Sequence, residues 1–154
     1  RLLIGKETVH KMLTLLGGAS IADIPPITLL ADSLTGADVA LSNTGLYFDG
    51  PSVAQGTEGT WFASGTVTLV DLTAGGAAFN VKLWDGTTVI ASGHANSKDA
   101  APTGYITISV SGHIVSPAGD IRISVNDTTS VNGFISHNSS GNSKDSTLTV
   151  LRVA

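Results

Sequence analysis

The chain has 154 residues, with 8 basic and 12 acidic side chains and a formal net charge of -4. An acidic balance without a basic stripe excludes the electrostatic footprint of a nucleic-acid-binding protein, and the lack of an apolar run of ~18 residues argues against a membrane-spanning helix. There is no cysteine, so disulfides, zinc–thiolate sites and cysteine nucleophiles are excluded. Only 13% of residues are charged, 42% are hydrophobic and 18 are glycine, which is typical of a compact β protein with many turns.

Residues 7–16 contain the one stretch with helical spacing. Its apolar residues recur at i, i+3, i+4 and i+7, and they are Val9, Met12, Leu13 and Leu16. This pattern predicts a short amphipathic helix that ends at Gly17-Gly18, before the extended connector imposed by Pro25-Pro26. Because so short a helix is marginal alone in water, we expect residues 1–38 to form an anchoring arm whose apolar stripe docks on a partner. The alternative is that the helix packs back on its own domain.

From about Val39 the hydrophobic period changes from 3.6 to 2, which is typical of β-strands. The pattern predicts a domain over residues 39–154, and Asp85-Gly86 between two strand-like runs predicts a hairpin. We expect eight strands, at about 40–48, 59–71, 77–84, 87–93, 104–115, 119–126, 131–137 and 146–153. Eight short strands without intervening helices indicate an all-β antiparallel sandwich, and we favour a jelly roll over an immunoglobulin-like arrangement.

Three stretches resemble small β-sandwich domains of tailed-phage and prophage virion proteins. They are Tyr47-Phe-Asp-Gly-Pro-Ser-Val-Ala-Gln-Gly56, Gly59-Thr-Trp-Phe-Ala-Ser-Gly-Thr-Val-Thr68 and Val81-Lys-Leu-Trp-Asp-Gly-Thr-Thr-Val-Ile-Ala91. Such domains occur in head fibres, tail fibres and capsid decoration proteins, and are often trimeric jelly rolls similar to the tumour-necrosis-factor and C1q-like fold. The resemblance covers roughly residues 39–154.

The resemblance implies a non-enzymatic structural protein of the virion that acts through assembly on the particle. Its expected partners are further copies of itself, as a homotrimer, and other virion proteins such as capsid or tail components. The expected location is the extracellular particle, after assembly in the bacterial host cytoplasm. Low charge independently favours self-association, because weakly polar flat faces suit subunit packing.

Aromatic residues suggest an alternative function, a module that binds glycans on the host surface through a stacking platform of Trp61, Trp84, Tyr47 and Tyr105. Trp61 shares its strand face with Val67 and Leu69, so we expect it in the core. Trp84 alternates with polar residues, and Tyr105 begins a later strand. We therefore expect Trp84 and Tyr105 to contact a glycan or to lie at an interface.

Neither a catalytic site nor a metal site is indicated. No G-x-S-x-G nucleophile elbow occurs, and the aspartates that could pair in a hydrolase lie in predicted turns, where aspartate caps backbone N–H groups. They are Asp85, Asp99, Asp120, Asp127 and Asp145. The four histidines lie more than four residues apart, outside the spacing of a typical metal motif. We expect no enzyme activity and no cofactor.

Overall fold

The computed structural model describes residues 27–72, 76–97 and 104–154, which form two antiparallel sheets. The ten strands are β1 (Leu29–Ser33), β2 (Val39–Leu41), β3 (Phe48–Val53), β4 (Thr60–Asp71), β5 (Ala77–Trp84), β6 (Val89–Ser97), β7 (Ile106–Val115), β8 (Ile121–Asp127), β9 (Gly133–Ser136) and β10 (Thr147–Arg152). The described residues contain no helix, so the all-β prediction is confirmed for them. The predicted helix at 7–16 lies outside the described residues.

Sheet A is built around β4, the longest strand. One edge of β4 pairs with β7 along Thr60–Leu69. The other edge is shared by two strands, because β10 pairs with Trp61–Thr66 and β9 pairs with Thr68–Asp71. β1 and β2 then pair with the outer edges of β10 and β9. Four strands, β1-β10-β4-β7, therefore lie side by side over one half of the sheet.

Sheet B has the strand order β3-β8-β5-β6. The β5–β6 hairpin turns at Asp85-Gly86, as predicted, and Gly86 takes the positive φ of 93° that glycine accepts. β8 lies between β3 and β5, although it follows them by many residues in the chain. This arrangement sets side chains from three separate parts of the sequence beside one another on the outer face of sheet B.

The core lies between the two sheets and follows the predicted alternation. Side chains that are at most 2% exposed include Trp61, Ala63, Val67 and Leu69 of β4, Phe79, Val81 and Leu83 of β5, and Ile121, Ile123 and Val125 of β8. Burial of a large apolar side chain contributes ~1.5–3 kcal/mol before ordering costs. The Trp61 indole Nε1–H is satisfied by the Glu58 carbonyl at 2.8 Å, so its polar group does not oppose burial.

The strand count and the start of the sandwich differ from the prediction. The predicted strand at 40–48 is interrupted: β2 ends at Leu41, and β3, which begins only at Phe48, continues to Val53 beyond the predicted range. Asn43 closes a turn between them, because its side-chain oxygen accepts the Gly45 N–H at 2.8 Å. β1 lies within the segment predicted as arm and polar loop. The five residues of β1 show no regular alternation of polar and apolar side chains, but each residue from Leu29 to Ser33 pairs with a residue of β10.

Candidate functional site

Six side chains form a group on the outer face of sheet B. They are Tyr47, Asp49, Lys82, Trp84, Arg122 and Ser124, and we call them the Trp84 cluster. Strand register explains how they meet, since Lys82 lies opposite Ser124 and Trp84 lies opposite Arg122. Asp49 lies opposite Ser124 from the other side. The side chains thus come from β3, β5 and β8 and from the loop before β3.

A hydrogen-bond chain fixes the Trp84 ring. Its indole Nε1–H donates to the Ser124 hydroxyl at 2.6 Å, and that hydroxyl donates to Asp49 Oδ1. Ser124 is fully buried, whereas Trp84 is half-buried. The ring is therefore held at the surface by groups beneath it and presents its remaining area outward.

Lys82 lies between two aromatic rings. Its Nζ is 3.2 Å from the centroid of the Trp84 ring and 4.2 Å from that of Tyr47, well within the range of a cation–π interaction. Burial lowers the pKa of the Lys82 ammonium; the charge of Asp49 opposes this shift, and the charge of Arg122 adds to it. The two cations of the cluster therefore repel each other across a short distance.

Arg122 is held by one long ion pair and by the turn of the β5–β6 hairpin. Its Nη1 is 3.4 Å from Asp49 Oδ2, and its guanidinium carbon is 5.2 Å from the Trp84 centroid. A Cβ at Gly86 would collide with Nη2, so this glycine leaves the space that the guanidinium fills. The Nε atom is buried and has no hydrogen-bond partner among the described residues.

Tyr47 is positioned by Asn126 of β8. The Asn126 amide donates to the carbonyls of Thr44 and Leu46, at 2.8 and 2.7 Å. These two bonds hold the loop that leads into β3. Tyr47 follows directly and is 42% exposed.

The predicted contact residues do not form one site. Trp84 lies on the outer face of sheet B, whereas Tyr105 precedes β7 in sheet A and is exposed. The four predicted docking residues Val9, Met12, Leu13 and Leu16 lie outside the described residues. Sequence reasoning named Tyr47 among the aromatic residues that could stack on a sugar. It missed Asp49 and Arg122, because only the order of the strands brings them to Trp84.

On the outer face of sheet A, the outward residues of β1, β10, β4 and β7 include no lysine, arginine, aspartate or glutamate. Lys144, which precedes β10, lines a hollow with Ala31 and Thr149 at one end of this face. By alternation, the outward residues are Leu29, Ala31 and Ser33 of β1, Thr147, Thr149 and Leu151 of β10, Phe62, Ser64 and Thr66 of β4, and Thr107, Ser109, Ser111 and His113 of β7. Leu29, Leu151 and Phe62 form an apolar row across three strands. We call this surface the uncharged face.

Two of the predicted turn aspartates hold their loops by accepting hydrogen bonds, Asp85 from backbone N–H groups and Asp145 mainly from serine hydroxyls. Asp85 accepts the N–H groups of Thr87, Thr88 and Ala118, at 2.9, 2.6 and 2.7 Å. Burial would raise the pKa of Asp85, but these bonds lower it overall. At Asp145, hydrogen bonds from Ser140 and Ser139 lower the pKa to about 2.

Asp127 forms a turn and also faces a second carboxylate. Its Oδ1 accepts the N–H groups of Thr129 and Ser130, at 2.8 and 3.2 Å. Burial raises the pKa of Asp127; the two backbone bonds oppose the rise, and the neighbouring Asp71 adds to it. Both aspartates are fully buried, so the pair is closed to a substrate.

The part of the chain that the structure describes contains neither a metal-binding group nor a helix suited to spanning a membrane. Across 27–72, 76–97 and 104–154, no three histidine or acidic side chains are grouped closely enough to hold a metal ion. The same described ranges contain no helix with the length and apolar character needed to cross a bilayer.

Comparison with known proteins gives a likeness of fold. No protein-family model matches the sequence, and no curated protein matches it. The Eiger TNF of S. frugiperda aligns with 84% of this chain and 94% of its own, with a TM-score of 0.57 and 12% identity. This likeness supports the predicted jelly roll.

Two weaker structural similarities cover a comparable share of the chain. The C-terminal CBM6 of the laminarinase LamC from Zobellia galactanivorans aligns with 81% of this chain and all of its own, with a TM-score of 0.36 and 12% identity. Infectious bursal disease virus, Gx strain, aligns over 82% of this chain and 33% of its own, with a TM-score of 0.41 and 10% identity.

Proposed function

We propose that this chain is a non-enzymatic structural protein of a bacteriophage particle, working as a homotrimer in a head fibre, a tail fibre or a capsid decoration. The observation that carries the proposal is the uncharged face of sheet A. Exposed protein surface is normally rich in charge, whereas the centres of subunit interfaces are depleted of it. A four-stranded face of serine, threonine and alanine with an apolar row is suited to being covered by another subunit.

The virion part of the proposal rests on the sequence resemblance. The stretches that carry it fall on β3, on β4 and on the β5–β6 hairpin, which are parts of both sheets of the jelly roll. Attachment to other virion proteins is assigned to the apolar stripe of the arm, Val9 to Leu16.

The absence of enzyme activity is part of the proposal and is supported by how the carboxylates are used. The carboxylate oxygens of Asp85 and Asp145 accept hydrogen bonds from N–H groups and hydroxyls of their own loops. Asp127 and Asp71, which lie close to each other, are fully buried. A glycosidase needs two carboxyl groups that flank an accessible bond.

The test is the mass of the full chain in solution at micromolar concentration, measured by light scattering. We expect three times the monomer mass for the wild type. Ser64→Arg places a cation at the centre of the uncharged face, so it should give a folded monomer with the β-sheet circular dichroism of the wild type. Its melting temperature should be lower than that of the trimer, because the stabilisation from association is lost. Asn96→Arg makes the same kind of change on an exposed position of β6 and should leave the trimer intact.

Two results would overturn the proposed assembly. A wild type that is monomeric at this concentration contradicts the homotrimer. A trimeric Ser64→Arg variant shows that subunits meet elsewhere and removes the observation on which the proposal depends.

Recognition of host glycans is the second candidate function. The Trp84 cluster favours it, because sugar sites combine aromatic rings with a few fixed polar groups. A glycan array probed with the full chain tests it, and Trp84→Ala should abolish any binding that the wild type shows. An array without signal would dismiss this candidate and leave the assembly proposal standing.

A further inference from the structure

The Trp84 cluster concentrates positive charge on an acidic protein. The chain has a net charge of -4, and the described residues hold only four lysines and arginines, at positions 82, 122, 144 and 152. Two of these four lie in one cluster, opposed by the single carboxylate of Asp49. Placing like charges together costs free energy, and a bound anion would offset that cost.

Arg122 is incompletely paired. A guanidinium has five N–H donors and pairs best with a carboxylate through two parallel bonds of about 2.7–2.9 Å. Its ion pair with Asp49 is a longer contact, 3.4 Å from Nη1 to Oδ2, and Asp49 Oδ1 accepts the Ser124 hydroxyl instead. Asp49 therefore leaves donor capacity on Arg122 for a second carboxylate.

The remaining groups favour a sugar over a simple anion. Tyr47 offers an exposed ring against which the C–H face of a pyranose can pack. Asp49 has a side chain that is 48% exposed, and its free lone pairs can accept hydroxyl protons. A ligand with several negative charges would be repelled by Asp49, whereas one carboxylate with neighbouring hydroxyls satisfies both kinds of group.

We propose that the Trp84 cluster binds a monocarboxylate sugar of the hexuronate or sialic-acid class. The carboxylate lies between Lys82 and Arg122, the hydroxyls donate to Asp49, and the ring packs on Tyr47. This proposal rests on the second candidate function and specifies its ligand.

The experiment follows the indole N–H signals of the full chain by NMR during titration. The chain has two tryptophans; Trp61 is buried and serves as the internal reference, while Trp84 reports the cluster. D-glucuronate and N-acetylneuraminate should shift the Trp84 signal in a saturable way. D-glucose, the methyl ester of glucuronate and sodium acetate should bind at least about tenfold more weakly, because each lacks either the charge or the ring.

Matched variants identify the cations that bind the carboxylate of the ligand. Arg122→Gln and Lys82→Gln should each weaken glucuronate binding at least about tenfold, whereas Lys144→Gln, which removes an exposed cation elsewhere, should not change it. Lys82→Gln removes no ion pair within the sheet, so it tests the proposal even if Arg122→Gln fails to fold.

Each outcome is decisive. Equal binding of glucose and glucuronate overturns the assignment of an acidic ligand but keeps glycan recognition. Equal binding of acetate overturns the assignment of a sugar and indicates a general anion site, including one for acidic side chains of a protein. No shift with any sugar at tens of millimolar overturns this proposal and leaves glycan recognition at other positions to the array.

Discussion

Ionisation of the Asp127 carboxyl group destabilises the folded state. Burial and the neighbouring Asp71 raise its pKa in the folded chain, so between pH 3.8 and the raised folded value the folded state binds more protons than the unfolded state. Stability must therefore fall as pH rises through that window. We expect Asp127→Asn to stabilise the protein at pH 7, because the folded state then no longer carries a buried charge beside Asp71.

The asparagine keeps the turn and removes the charge. Its side-chain oxygen can still accept the Thr129 and Ser130 N–H groups, and its amide can donate toward Asp71. Urea unfolding at several pH values from 4 to 8 would measure the effect, with the exposed turn residue Asp120→Asn as control. If Asp127→Asn keeps the wild-type dependence of stability on pH, Asp127 is not the group whose ionisation opposes folding, and this prediction is wrong.

Asp85 acts in the opposite direction, because it is needed as an anion. Three backbone N–H groups lower its pKa in spite of burial, so it contributes stability above pH 3.8, and this contribution is lost as pH falls through the lowered folded value. Asp85→Ala leaves up to three N–H groups without their acceptor and should cost about 3 kcal/mol or more. Chemical denaturation at pH 7 would measure this, and a loss below ~1 kcal/mol would show that water replaces the carboxylate.

At the scale of elements, the contact between the edge strands β6 and β7 joins one side of the sandwich. Each strand offers a glycine where the other offers isoleucine: a Cβ at Gly93 would lie 2.9 Å from Ile108 Cγ2, and one at Gly112 would lie 2.8 Å from Ile90 Cγ2. The backbone carbonyl of Ile90 is also only 3.2 Å from the Gly112 position. The two sheets can therefore approach only because these side chains are absent.

Gly112→Ala should force the two strands apart and destabilise the protein by ~1–3 kcal/mol, the cost of overpacking a close contact. Gly36→Ala is the matched control, because nothing lies within 4 Å of its added methyl group; it should be neutral or slightly stabilising. Thermal unfolding of both variants would check this. Equal melting temperatures would mean that β6 and β7 adjust without cost.

The elements also show which parts of the fold a sequence can predict. Long strands with regular alternation, such as β4 and β5, were predicted within about a residue, because their burial pattern repeats several times. β1 was missed, since five residues with an aspartate carry little periodic signal and its partner β10 lies at the other end of the domain. Local pattern cannot supply a partner so distant along the chain.

The candidate site was predictable only in part for the same reason. Trp84 was predicted to contact a glycan or to lie at an interface, because it alternates with polar residues along β5. Arg122 and Asp49 had no local signal of this kind, since the strand order β3-β8-β5 alone places them beside Trp84. The uncharged face likewise combines four strands, and its lack of charge becomes visible only when their outward residues are set side by side.

At the scale of the whole molecule, the two outer faces differ in chemistry. The uncharged face of sheet A suits a dry contact with another subunit, whereas the Trp84 cluster on sheet B carries cations held by aromatic rings. The faces belong to opposite sheets of one sandwich, so a subunit can be covered on one and remain open on the other. Assembly and ligand recognition are therefore compatible in a single chain.

Residues 1–26 contain the predicted helix of the anchoring arm. The sequence predicts an arm that docks on a partner through Val9, Met12, Leu13 and Leu16, whereas both sheets of the sandwich are built from residues after Thr28. If the arm serves attachment, a chain of residues 27–154 should keep the melting temperature of the full chain, measured by calorimetry, and its β-sheet circular dichroism. A fall of more than about 4 °C, which is near the shift produced by ~1 kcal/mol in a domain of this size, would contradict the anchoring arm and favour a helix packed on its own sandwich. The control for truncation itself is the full chain with both Leu13→Glu and Leu16→Glu. If residues 1–26 serve attachment, this variant should also keep its melting temperature, because charged side chains on the stripe would weaken only the contact with a partner, and no partner is present in the experiment.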